Sequence, residues 1–370
     1  MTGQGHCDDS RCCRPHTCSH PPVVDPVLPR QRALRAHGLR TLAFTSPHVR
    51  SVRERWRLDG VPASIAELAP ACAVVAEVER RSGVTLTYFE RTAAIAVVLA
   101  ATIPSCTVLW EVGLGGRLDC ANALDCQVAV ITHLSHDHRD VLGPTLDHIA
   151  AEKLPIARPG RPLLIAPQTP AAAAALATQV ALMPSLGPVT WIHRHVDPFA
   201  LSLAGTHQHD NASTALAAAK LMYPPLDEAL ARSGMAHATL AARCQRVRRG
   251  ERTWLIDGAH NGPSIAATLA VAHACLRPGW QLVIGTATDK EIDEITAVLP
   301  TSIRWHRCGY DSPRARGRDA WPDGWQHTPW HADIGGLLAE VSDVDLRITG
   351  SFYLAGEALR ALGAEDVQVG

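Results

Sequence analysis

The residues best placed to do chemistry in this 370-residue chain stand directly after short apolar runs. In TVLWEVGLGGRLDCAN the run ends at Glu111, and three glycines follow within the next five residues. A carboxylate beside a turn where the backbone can approach a ligand suits a hard cation such as Mg²⁺, which prefers oxygen ligands. A glutamate that caps a helix would leave the same pattern, so the local sequence makes Glu111 a candidate metal ligand and no more.

The loop ITHLSHDHRDVLG follows a second apolar run and brings His136, His138 and Asp140 close together. This spacing resembles the zinc motif of metallo-β-lactamase-like hydrolases. That motif requires a further histidine directly after the aspartate, where this chain has Val141, and it belongs to a sandwich rich in antiparallel strands. A single histidine of this loop that joins Glu111 at one divalent cation is the more economical interpretation.

Two further stretches carry weaker signals. In LIDGAHNGPS a predicted strand delivers Asp257, and His260 and Asn261 follow where a helix begins. An Asp at a strand end beside a helix N-terminus can bind ribose hydroxyls and phosphate oxygens, although Asp and Asn are also common helix caps. In HIAAEKLPIARPG, Lys153 lies near the end of a predicted helix, where a lone lysine is most often a solvated charge.

The elements that position these residues alternate between strands and helices. Such alternation, with helices of roughly ten to fifteen residues, indicates a mostly parallel sheet with helices on both faces. Ligands of such sheets bind at the carboxyl ends of the strands, where each motif falls. The alternation restarts after about Arg243, so we expect two α/β domains joined near residues 236–243. The predicted strands include LRTLAFT, TVLWEVG, QVAVITH, WLIDG, QLVIG and DLRITG. The predicted helices include 63–81, Tyr88–Ala101, Leu146–Lys153, Pro170–Ala181 and 210–221.

Composition limits the classes of partner. The formal net charge is −1 and the pI is near 7.0, so nothing favours nucleic acid as a partner on electrostatic grounds. The longest apolar runs, such as TAAIAVVLAATI, fall well short of the about 20 residues that a membrane span needs. The N-terminus has no apolar segment of the signal-peptide kind, and we therefore expect a cytoplasmic protein without a membrane partner.

Eleven cysteines raise the question of a metal site or of disulfides. Four of them crowd into the first 20 residues together with three histidines, without the spaced ligand pairs and small core of a zinc knuckle. We expect residues 1–30 to be disordered, because Pro, Cys, His and Arg follow no periodicity there. The other seven cysteines lie among apolar residues, which predicts buried, reduced thiols.

In their order along the chain, these motifs resemble those of the folylpolyglutamate synthase and dihydrofolate synthase family, within the ATP-dependent Mur-ligase superfamily. The similarity extends from about Arg32 to Gly363 and is carried by FTSPHVRSVRERWRLDG, TYFE, EVGLGGRLDCAN, ITHLSHDHRDVLG, EKLPIARPG, GTHQHDNAS, ARCQRV, DGAHN, GTATDKE and ITGSFYLAGE. The resemblance implies a two-domain α/β fold. A Mur-ligase central, ATPase-type domain would span residues 31–240, and a smaller Rossmann-like glutamate-ligase domain would span residues 241–370.

The resemblance also implies a reaction. ATP phosphorylates the carboxylate of dihydropteroate or a (tetrahydro)folate, and the amino group of L-glutamate attacks the resulting acyl phosphate to form an amide. Such phosphoryl transfer needs Mg²⁺ to spread charge, a cradle for the phosphates and positive groups on the transferring oxygens. The family resemblance further suggests a monomer.

Individual residues match the family's functional positions. Those that match metal-site positions are Ser46, Glu111, His138 and Lys153, the last as the lysine that the family carbamylates. Those that match ATP-binding positions are His207, Gln208, Asn211, Arg243 and Asp257. Those that match folate- and substrate-binding positions are Thr45, Ser46, Pro47, His48, Arg117, Asp119 and Ser351. Lys153 and His260 match the positions implied in catalysis.

One departure from the family pattern concerns the phosphate-binding loop. Where relatives carry GTNGKGS, counting back from TSPH reaches SHPPVVD, residues 19–25, which contain neither Gly nor Lys. Pro21 and Pro22 each remove a backbone N–H that such a loop would present to phosphate. Pro26 and Pro29 are expected to disrupt the helix that follows.

Two explanations of SHPPVVD stay open. The abrupt change from aperiodic to family-like sequence near Arg32 resembles a frameshifted or misassigned start. It is equally compatible with a paralogue that has lost ATP turnover. The first explanation leaves an ATP-dependent folate–glutamate ligase, and the second leaves a catalytically impaired folate- or pterin-binding protein. The two explanations differ in the nucleotide binding that they require, because a ligase must bind Mg-ATP whereas a folate- or pterin-binding protein need not.

Overall fold

Two α/β units, each built on one sheet, form the computed structural model, which describes residues 15–19, 26–193 and 198–364. Most neighbouring strands in both sheets run parallel. The α/β fold class predicted from the alternation of strands and helices is therefore confirmed.

The first unit carries helices on both faces of its sheet. Its strands are β1 (Pro15–Ser19), β2 (Thr41–Phe44), β3 (Trp56–Leu58), β4 (Val61–Pro62), β5 (Thr107–Glu111), β6 (Ala129–Ile131), β7 (Leu163–Ile165) and β8 (Val189–Trp191). Its helices are α1 (Val27–Ala36), α2 (Ile65–Ser82), α3 (Tyr88–Ala101), α4 (Arg139–Leu142), α5 (Leu146–Lys153), α6 (Pro170–Ala181), α7 (His207–Met222) and α8 (Glu228–Ala236). The strands follow the order β4-β3-β2-β5-β1-β6-β7-β8, in which β3 pairs in the antiparallel direction with both β2 and β4.

The second unit is smaller. Its strands are β9 (Gln245–Arg249), β10 (Arg252–Ile256), β11 (Gln281–Ile284), β12 (Trp305–Cys308), β13 (Trp330–His331) and β14 (Leu346–Thr349). Its helices are α9 (Gly262–Cys275), α10 (Ile292–Val298), α11 (Ile334–Glu340) and α12 (Phe352–Ala361). The strands follow the order β13-β12-β11-β14-β10-β9, and only β9 pairs in the antiparallel direction among those described.

Capping residues set the ends of the long helices in the first unit. Ser64 before α2 and Thr87 before α3 each accept a hydrogen bond from the backbone N–H of the glutamate three residues on, Glu67 or Glu90. Each glutamate side chain accepts one from the cap in return. Gly83 ends α2 with a φ of 70°, which glycine adopts without steric penalty. Helices α3, α5 and α6 span the residues that the sequence predicts.

Alternate residues of the central strands face opposite sides of the sheet, as the period of two in a strand requires. Phe44 and Trp110 point into a core shared with α2, α3, α5 and α6. Ala43 and Leu109 point into a second core shared with α1, α7 and α8. Because both faces are packed, the carboxyl ends of the strands are held firmly, and the loops that follow them start from fixed positions.

The expectation that residues 1–30 are disordered is wrong for the part of this segment that the structure describes. Strand β1 lies between β5 and β6 in the middle of the sheet and runs parallel to both. Helix α1 begins at Val27 although Pro26 precedes it and Pro29 lies in its first turn. Proline is tolerated there because the first N–H groups of a helix have no intrahelical partner, and its φ is already helical.

The early cysteine cluster and SHPPVVD fall mostly on residues 1–14 and 20–25, outside the described residues. The other seven cysteines are free thiols, of which four are buried as predicted, whereas Cys120 and Cys275 are half-buried. Cys72 is exposed instead, because it lies on the side of α2 that faces away from the core. In the described part of the chain, no helix combines the length and apolar character needed to cross a membrane.

Candidate active site

A cavity of about 300 Å³ lies between the two units, beside the carboxyl ends of β2, β5, β6 and β14. The first unit contributes Ser46, Pro47, Glu111, His138 and Lys153 to its lining, and the second contributes Arg243, His260 and Ser351. All eight are site residues predicted from the sequence. The fold therefore brings widely separated motifs to one cavity.

Glu111 holds the loop that carries TSPH. It ends β5, is 2% exposed, and accepts a hydrogen bond at Oε2 from the backbone N–H of Ser46 at 2.9 Å. The peptide bond between Ser46 and Pro47 is cis. Further along the loop, Glu54 accepts hydrogen bonds from the backbone N–H groups of residues 49, 50 and 51. Two carboxylates thus fix the loop, and Glu111 also lines the cavity.

Thr45 and His48 of the same loop are described but do not line this cavity. Thr45 donates through Oγ1 to the carbonyl oxygen of Glu54 at 3.3 Å, and His48 accepts at Nδ1 from Arg55 Nε at 3.0 Å. Burial lowers the pKa of His48, and the positive charge of Arg55 lowers it further. The contacts of Thr45 and His48 shape the loop that presents Ser46.

The glycine-rich loop after β5 is fixed by Asp119. Its carboxylate accepts hydrogen bonds from the backbone N–H groups of Gly113, Leu114 and Ala121 at 3.1, 3.2 and 2.8 Å. Burial raises the pKa of Asp119, although these hydrogen bonds oppose the rise. Arg117 pairs with Glu152 of α5 at 2.8 Å. Asp119 therefore fixes the backbone of the loop, Arg117 joins the loop to α5, and neither residue lines the cavity.

Lys153 and His138 line the cavity together with Ser46 and Glu111, the other residues predicted at the metal site. Lys153 is the last residue of α5 and is 5% exposed, so the local interpretation as a solvated charge is wrong. His138 precedes α4 with a φ of 50°, a left-handed conformation that is uncommon outside glycine. The carboxylate of Glu111, the imidazole of His138 and the hydroxyl of Ser46 suit a divalent cation that completes its shell with water or phosphate oxygens.

The zinc-hydrolase alternative finds no support in this loop. Asp137 and His138 line the cavity, whereas His136 and Asp140 do not. Across the described residues, no group of three or more His, Cys, Asp and Glu side chains is arranged to hold a metal ion.

The predicted ATP-binding residues form a polar cluster where α7 meets the second unit. Gln208 and Asn211 are each 2% exposed and hydrogen-bond to each other, from Asn211 Nδ2 to Gln208 Oε1 at 2.9 Å. Burial lowers the pKa of His207, Asp257 raises it, and Arg243 lowers it. Within the described residues, His207 Nδ1 and Arg243 Nε are buried without a hydrogen-bond partner, as expected of atoms that await a polar ligand.

Asp257 directly follows β10 and holds two neighbouring backbone segments together. It is 3% exposed and accepts hydrogen bonds from the backbone N–H groups of Cys244 at 2.8 Å and Ala259 at 2.7 Å. These two bonds tie the segment that carries Arg243 to the loop that carries His260. The guanidinium of Arg243 lies over the ring of Phe352, 4.4 Å from its centroid.

His260 lies on the wall formed by the second unit. Its Nδ1 is 2.8 Å from the carbonyl oxygen of Gly258, and because a carbonyl only accepts, Nδ1 carries the proton. Burial lowers the pKa of His260 to about 4, and the charge of Lys290 contributes to the decrease. The ring is therefore neutral near pH 7, with Nε2 as a hydrogen-bond acceptor. Ser351 caps α12 by accepting the backbone N–H of Tyr353 at 3.1 Å.

The residues of the cavity wall that the sequence analysis missed include four polar ones. Lys290, Tyr310, Ser312 and Arg314 all belong to the second unit. The signal was present, because GTATDK follows β11 and GYDSPR follows β12, so polar side chains stand at the carboxyl ends of parallel strands.

Comparison with known proteins identifies the family, although no protein-family model matches the chain. The dihydrofolate synthase/folylpolyglutamate synthase of Escherichia coli is 34% identical over 295 residues, which cover 76% of this chain and 69% of that protein. The folylpolyglutamate synthase of Mycobacterium tuberculosis, solved with ADP and AMPPCP, superposes with a TM-score of 0.81 at 26% identity, covering 96% of this chain and 91% of that one.

A bifunctional folylpolyglutamate synthase/dihydrofolate synthase, solved with Mn, AMPPNP and L-glutamate bound, gives a TM-score of 0.82 at 26% identity. The match covers 96% of this chain and 90% of that one. The fold agrees over 96% of the chain, and several of the family-like motifs, among them TSPH, EVGLGGRLD, ITHLSHDH and DGAHN, contribute to the lining of one interdomain cavity. The chain belongs to the folylpolyglutamate synthase and dihydrofolate synthase family of the Mur-ligase superfamily.

Proposed function

We propose that this chain is an ATP-dependent ligase that adds L-glutamate to dihydropteroate, to a reduced folate, or to both, through an acyl phosphate. The observation that carries the proposal is the interdomain cavity, which gathers metal-type ligands from one domain and cationic and imidazole side chains from the other. We expect the enzyme to act as a cytoplasmic monomer.

The first domain supplies the groups that would hold Mg-ATP. Glu111, His138 and Ser46 would bind a divalent cation, which supplies charge neutralisation at the phosphates. Addition of carbon dioxide to the Lys153 amine, with loss of one proton, would give a carbamate and hence a further oxygen ligand. The unpartnered atoms of His207 and Arg243 offer hydrogen bonds to the nucleotide.

The second domain supplies the groups that would receive L-glutamate. Lys290 and Arg314 line the cavity as cations and suit carboxylate or phosphate oxygens. With a pKa of about 4, His260 is too weak a base to hold a proton near pH 7. We assign its Nε2 to accepting a hydrogen bond from the neutral amino group of glutamate, which would orient the nitrogen lone pair toward the acyl carbon. Attack by this nitrogen would break the bond between the acyl carbon and the phosphate oxygen, and the departing phosphate would take the proton that the nitrogen loses.

A catalytically impaired folate- or pterin-binding protein is the second candidate, because SHPPVVD has neither Gly nor Lys. In the sequence, SHPPVVD begins at the last residue of the central strand β1 and ends before α1, the position at which nucleotide-binding α/β folds carry a phosphate-binding loop. Loss of several preorganised donors to the phosphates would slow phosphoryl transfer by orders of magnitude, about 10²-fold or more for each donor.

The deciding experiment measures phosphate release by the purified chain with Mg-ATP and L-glutamate, with dihydropteroate or tetrahydrofolate added in turn. Release that requires both glutamate and one pterin substrate supports the ligase and identifies that substrate. A chimera in which GTNGKGS replaces residues 19–25 serves as the comparison. If the chimera turns over and the natural chain does not, the impaired binding protein is the correct interpretation. If neither turns over while both are folded, the ligase proposal fails.

A further inference from the structure

Two loops of the second domain form one wall of the reaction cavity. Residues 285–291 follow β11 and contribute Ala287 and Lys290 to the lining, and residues 309–317 follow β12 and contribute Tyr310, Ser312 and Arg314. We refer to these segments as the β11 loop and the β12 loop. The two cations of this wall, the Lys290 amine and the Arg314 guanidinium, stand on different loops. Their separation therefore depends on how the loops are joined.

The backbones of the two loops pair directly, but over a short distance. The N–H of Thr288 donates to the carbonyl oxygen of Arg314 at 2.9 Å, and the N–H of Arg316 donates to that of Thr286 at 2.8 Å. These two hydrogen bonds flank a single antiparallel bridge. Because an isolated pair of strands is marginally stable even when it is longer, this bridge alone would hold the two loops loosely.

The side chain of Arg316 adds three further bonds between the loops. Its guanidinium donates to Thr286 Oγ1 at 3.2 Å, to the carbonyl oxygen of Thr288 at 3.1 Å and to that of Lys290 at 2.9 Å. A fourth bond, of 2.8 Å, reaches the carbonyl oxygen of Ala320, on the same side as Arg316 itself. One planar group thus holds three positions of the β11 loop, including the backbone of the residue that carries the amine.

Buried tryptophans anchor the segment that carries Arg316. Trp321 and Trp325 are 3% and 2% exposed, and their ring centroids lie 5.0 Å apart. Trp325 Nε1 donates to Thr296 Oγ1 of α10 at 3.0 Å, and the guanidinium of Arg316 lies over the ring of Trp321, 5.8 Å from its centroid. Thr288, in the middle of the β11 loop, is exposed instead. The β12 loop is therefore the firmer of the two, and Arg316 fixes the β11 loop to it.

Arg316 does not line the cavity, so it can act on a ligand only through the residues that it holds. Arg314 uses one of its five N–H donors to pair with Asp289 at 2.7 Å, and the guanidinium offers others to a ligand. L-Glutamate carries two carboxylates that neither form nor break a bond when its nitrogen attacks an acyl phosphate. Two cations on separate loops can each take one of them only at a fixed separation.

We infer that Arg316 is a positioning residue for the amino-acid substrate: it joins the two loops at the spacing at which Lys290 and Arg314 each bind one carboxylate of L-glutamate. The inference rests on the proposed ligase function. An arginine suits this task because its planar fork reaches several acceptors at once, whereas a lysine places its three donors at one point.

The test compares the full chain with Arg316→Gln and Arg316→Lys. Arg318→Gln is the matched control, because Arg318 is an exposed arginine two residues further along the chain that does not line the cavity. Calorimetry with Mg-ADP present measures the binding of L-glutamate and of L-aspartate, which is one methylene shorter. KM for L-glutamate and KM for ATP are measured in parallel. Amide hydrogen exchange of residues 286–290 reports on the β11 loop without any need for turnover.

We expect Arg316→Gln to raise Kd and KM for L-glutamate about tenfold, because small displacements of binding groups are costly, while KM for ATP stays unchanged. The preference for glutamate over aspartate should decrease, and the amides of residues 286–290 should exchange faster. Arg316→Lys should lie between Arg316→Gln and the natural chain, and Arg318→Gln should match the natural chain in every measurement. Should Arg316→Gln fail to fold, Arg316→Lys provides the same comparison.

The possible outcomes separate this inference from the ligase proposal. Unchanged affinity for L-glutamate in Arg316→Gln, or an equal increase in KM for ATP, would overturn the inference and leave the ligase proposal standing. Weaker L-glutamate binding by Arg316→Gln in a chain that shows no turnover would support the positioning role and count against the ligase alone. A natural chain that neither turns over nor binds L-glutamate would contradict both.

Discussion

At the scale of single residues, Glu111 combines two tasks that a substitution can separate. Its carboxylate lines the reaction cavity and also accepts the backbone N–H of Ser46 at 2.9 Å. Glu111→Gln keeps the size of the side chain and an oxygen for this hydrogen bond, but it removes the negative charge. We expect phosphate release to fall by about 100-fold and the Mg²⁺ concentration for half-maximal rate to rise, because a cation ligand is lost.

The measurement is a Mg²⁺ titration of phosphate release at saturating ATP. Glu77→Gln is the control, because Glu77 is an exposed residue of α2 that pairs only with Arg80 among the described contacts. Unchanged metal dependence in Glu111→Gln would rule out Glu111 as a ligand.

A site residue can be predicted from the sequence when a local pattern of residues marks it, and it is missed when only the packing of distant segments does. Glu111 was predicted from the local sequence because it ends a strand beside a glycine-rich turn, and the local sequence also indicated one histidine of the loop that contains His138. The choice of His138, and Ser46 altogether, came from the family resemblance. Lys153 had no local signal and was found only through the family resemblance. Polar residues follow β11 and β12, but this local pattern does not show that Lys290, Tyr310 and Arg314 reach the cavity, which they do when the second domain packs against the first. That packing depends on contacts between residues far apart in sequence, which no local pattern encodes.

At the scale of elements, the glycine-rich loop and α5 approach so closely that one methyl group would separate them. A Cβ on Gly116 would lie 2.8 Å from the carbonyl oxygen of Lys153 and 2.8 Å from Ile156 Cγ2. We expect Gly116→Ala to lower the free energy of unfolding by about 1–3 kcal/mol through overpacking. Activity should fall as well, because the displaced helix end carries Lys153.

Urea unfolding and phosphate release together check this expectation. Gly317→Ala is the matched control, since a Cβ at Gly317 meets nothing within 4 Å. If Gly116→Ala proved as stable and as active as the control, the close packing of the loop on α5 would be refuted.

A second element-scale feature is a row of buried polar groups across β11, β12 and β13. His306 Nδ1 is 3.1 Å from His331 Nε2, and His306 Nε2 is 2.7 Å from Gln281 Oε1. Burial and the neighbouring His331 lower the pKa of His306 to about 4. Because the unfolded chain binds this proton near the ordinary pKa of 6.5, stability is complete above pH 6.5 and is lost as the pH falls toward 4.

We expect His306→Gln to show a shallower decrease in the free energy of unfolding between pH 6.5 and 4.5 than the natural chain. His260 and His207 also have lowered pKa values, so part of the decrease will remain. Urea unfolding at a series of pH values checks this, with the exposed His327→Gln as control. A slope as steep in His306→Gln as in the natural chain would show that His306 does not contribute to it.

The elements themselves were predicted well where capping and periodicity agree, as in α3, α5 and α6. The N-terminal segment was predicted wrongly because its prolines, at Pro26 and Pro29, were interpreted as helix breakers. In the first turn proline breaks nothing, since no N–H is required there. Strand β1 was missed because PHTCS has no hydrophobic alternation, and its place comes from pairing with β5 and β6.

At the scale of the whole molecule, α12 of the second domain rests directly on the TSPH loop of the first. A Cβ on Gly356 would lie 2.2 Å from the carbonyl oxygen of Val49, so the two domains meet here backbone to backbone. One turn earlier on α12, Phe352 packs under Arg243 and against His260, with centroid distances of 4.4 and 5.9 Å. Helix α12 therefore connects the loop that presents Ser46 to the residues expected to bind nucleotide and glutamate.

Gly356→Ala would force α12 and the loop apart without removing any polar group. Because alanine favours a helix interior over glycine by about 1 kcal/mol, the second domain itself should not lose stability. We expect kcat/KM for phosphate release to fall by about 10- to 100-fold, since small displacements of reacting groups are costly. The thermal midpoint without ligand should fall as well, because the contact is with backbone, as in Gly116→Ala. Gly336→Ala, in helix α11 of the same domain, is the control, because its Cβ would meet only Asp333 at 3.7 Å. Full activity in Gly356→Ala would show that the contact between α12 and the loop does not govern the alignment of the two domains.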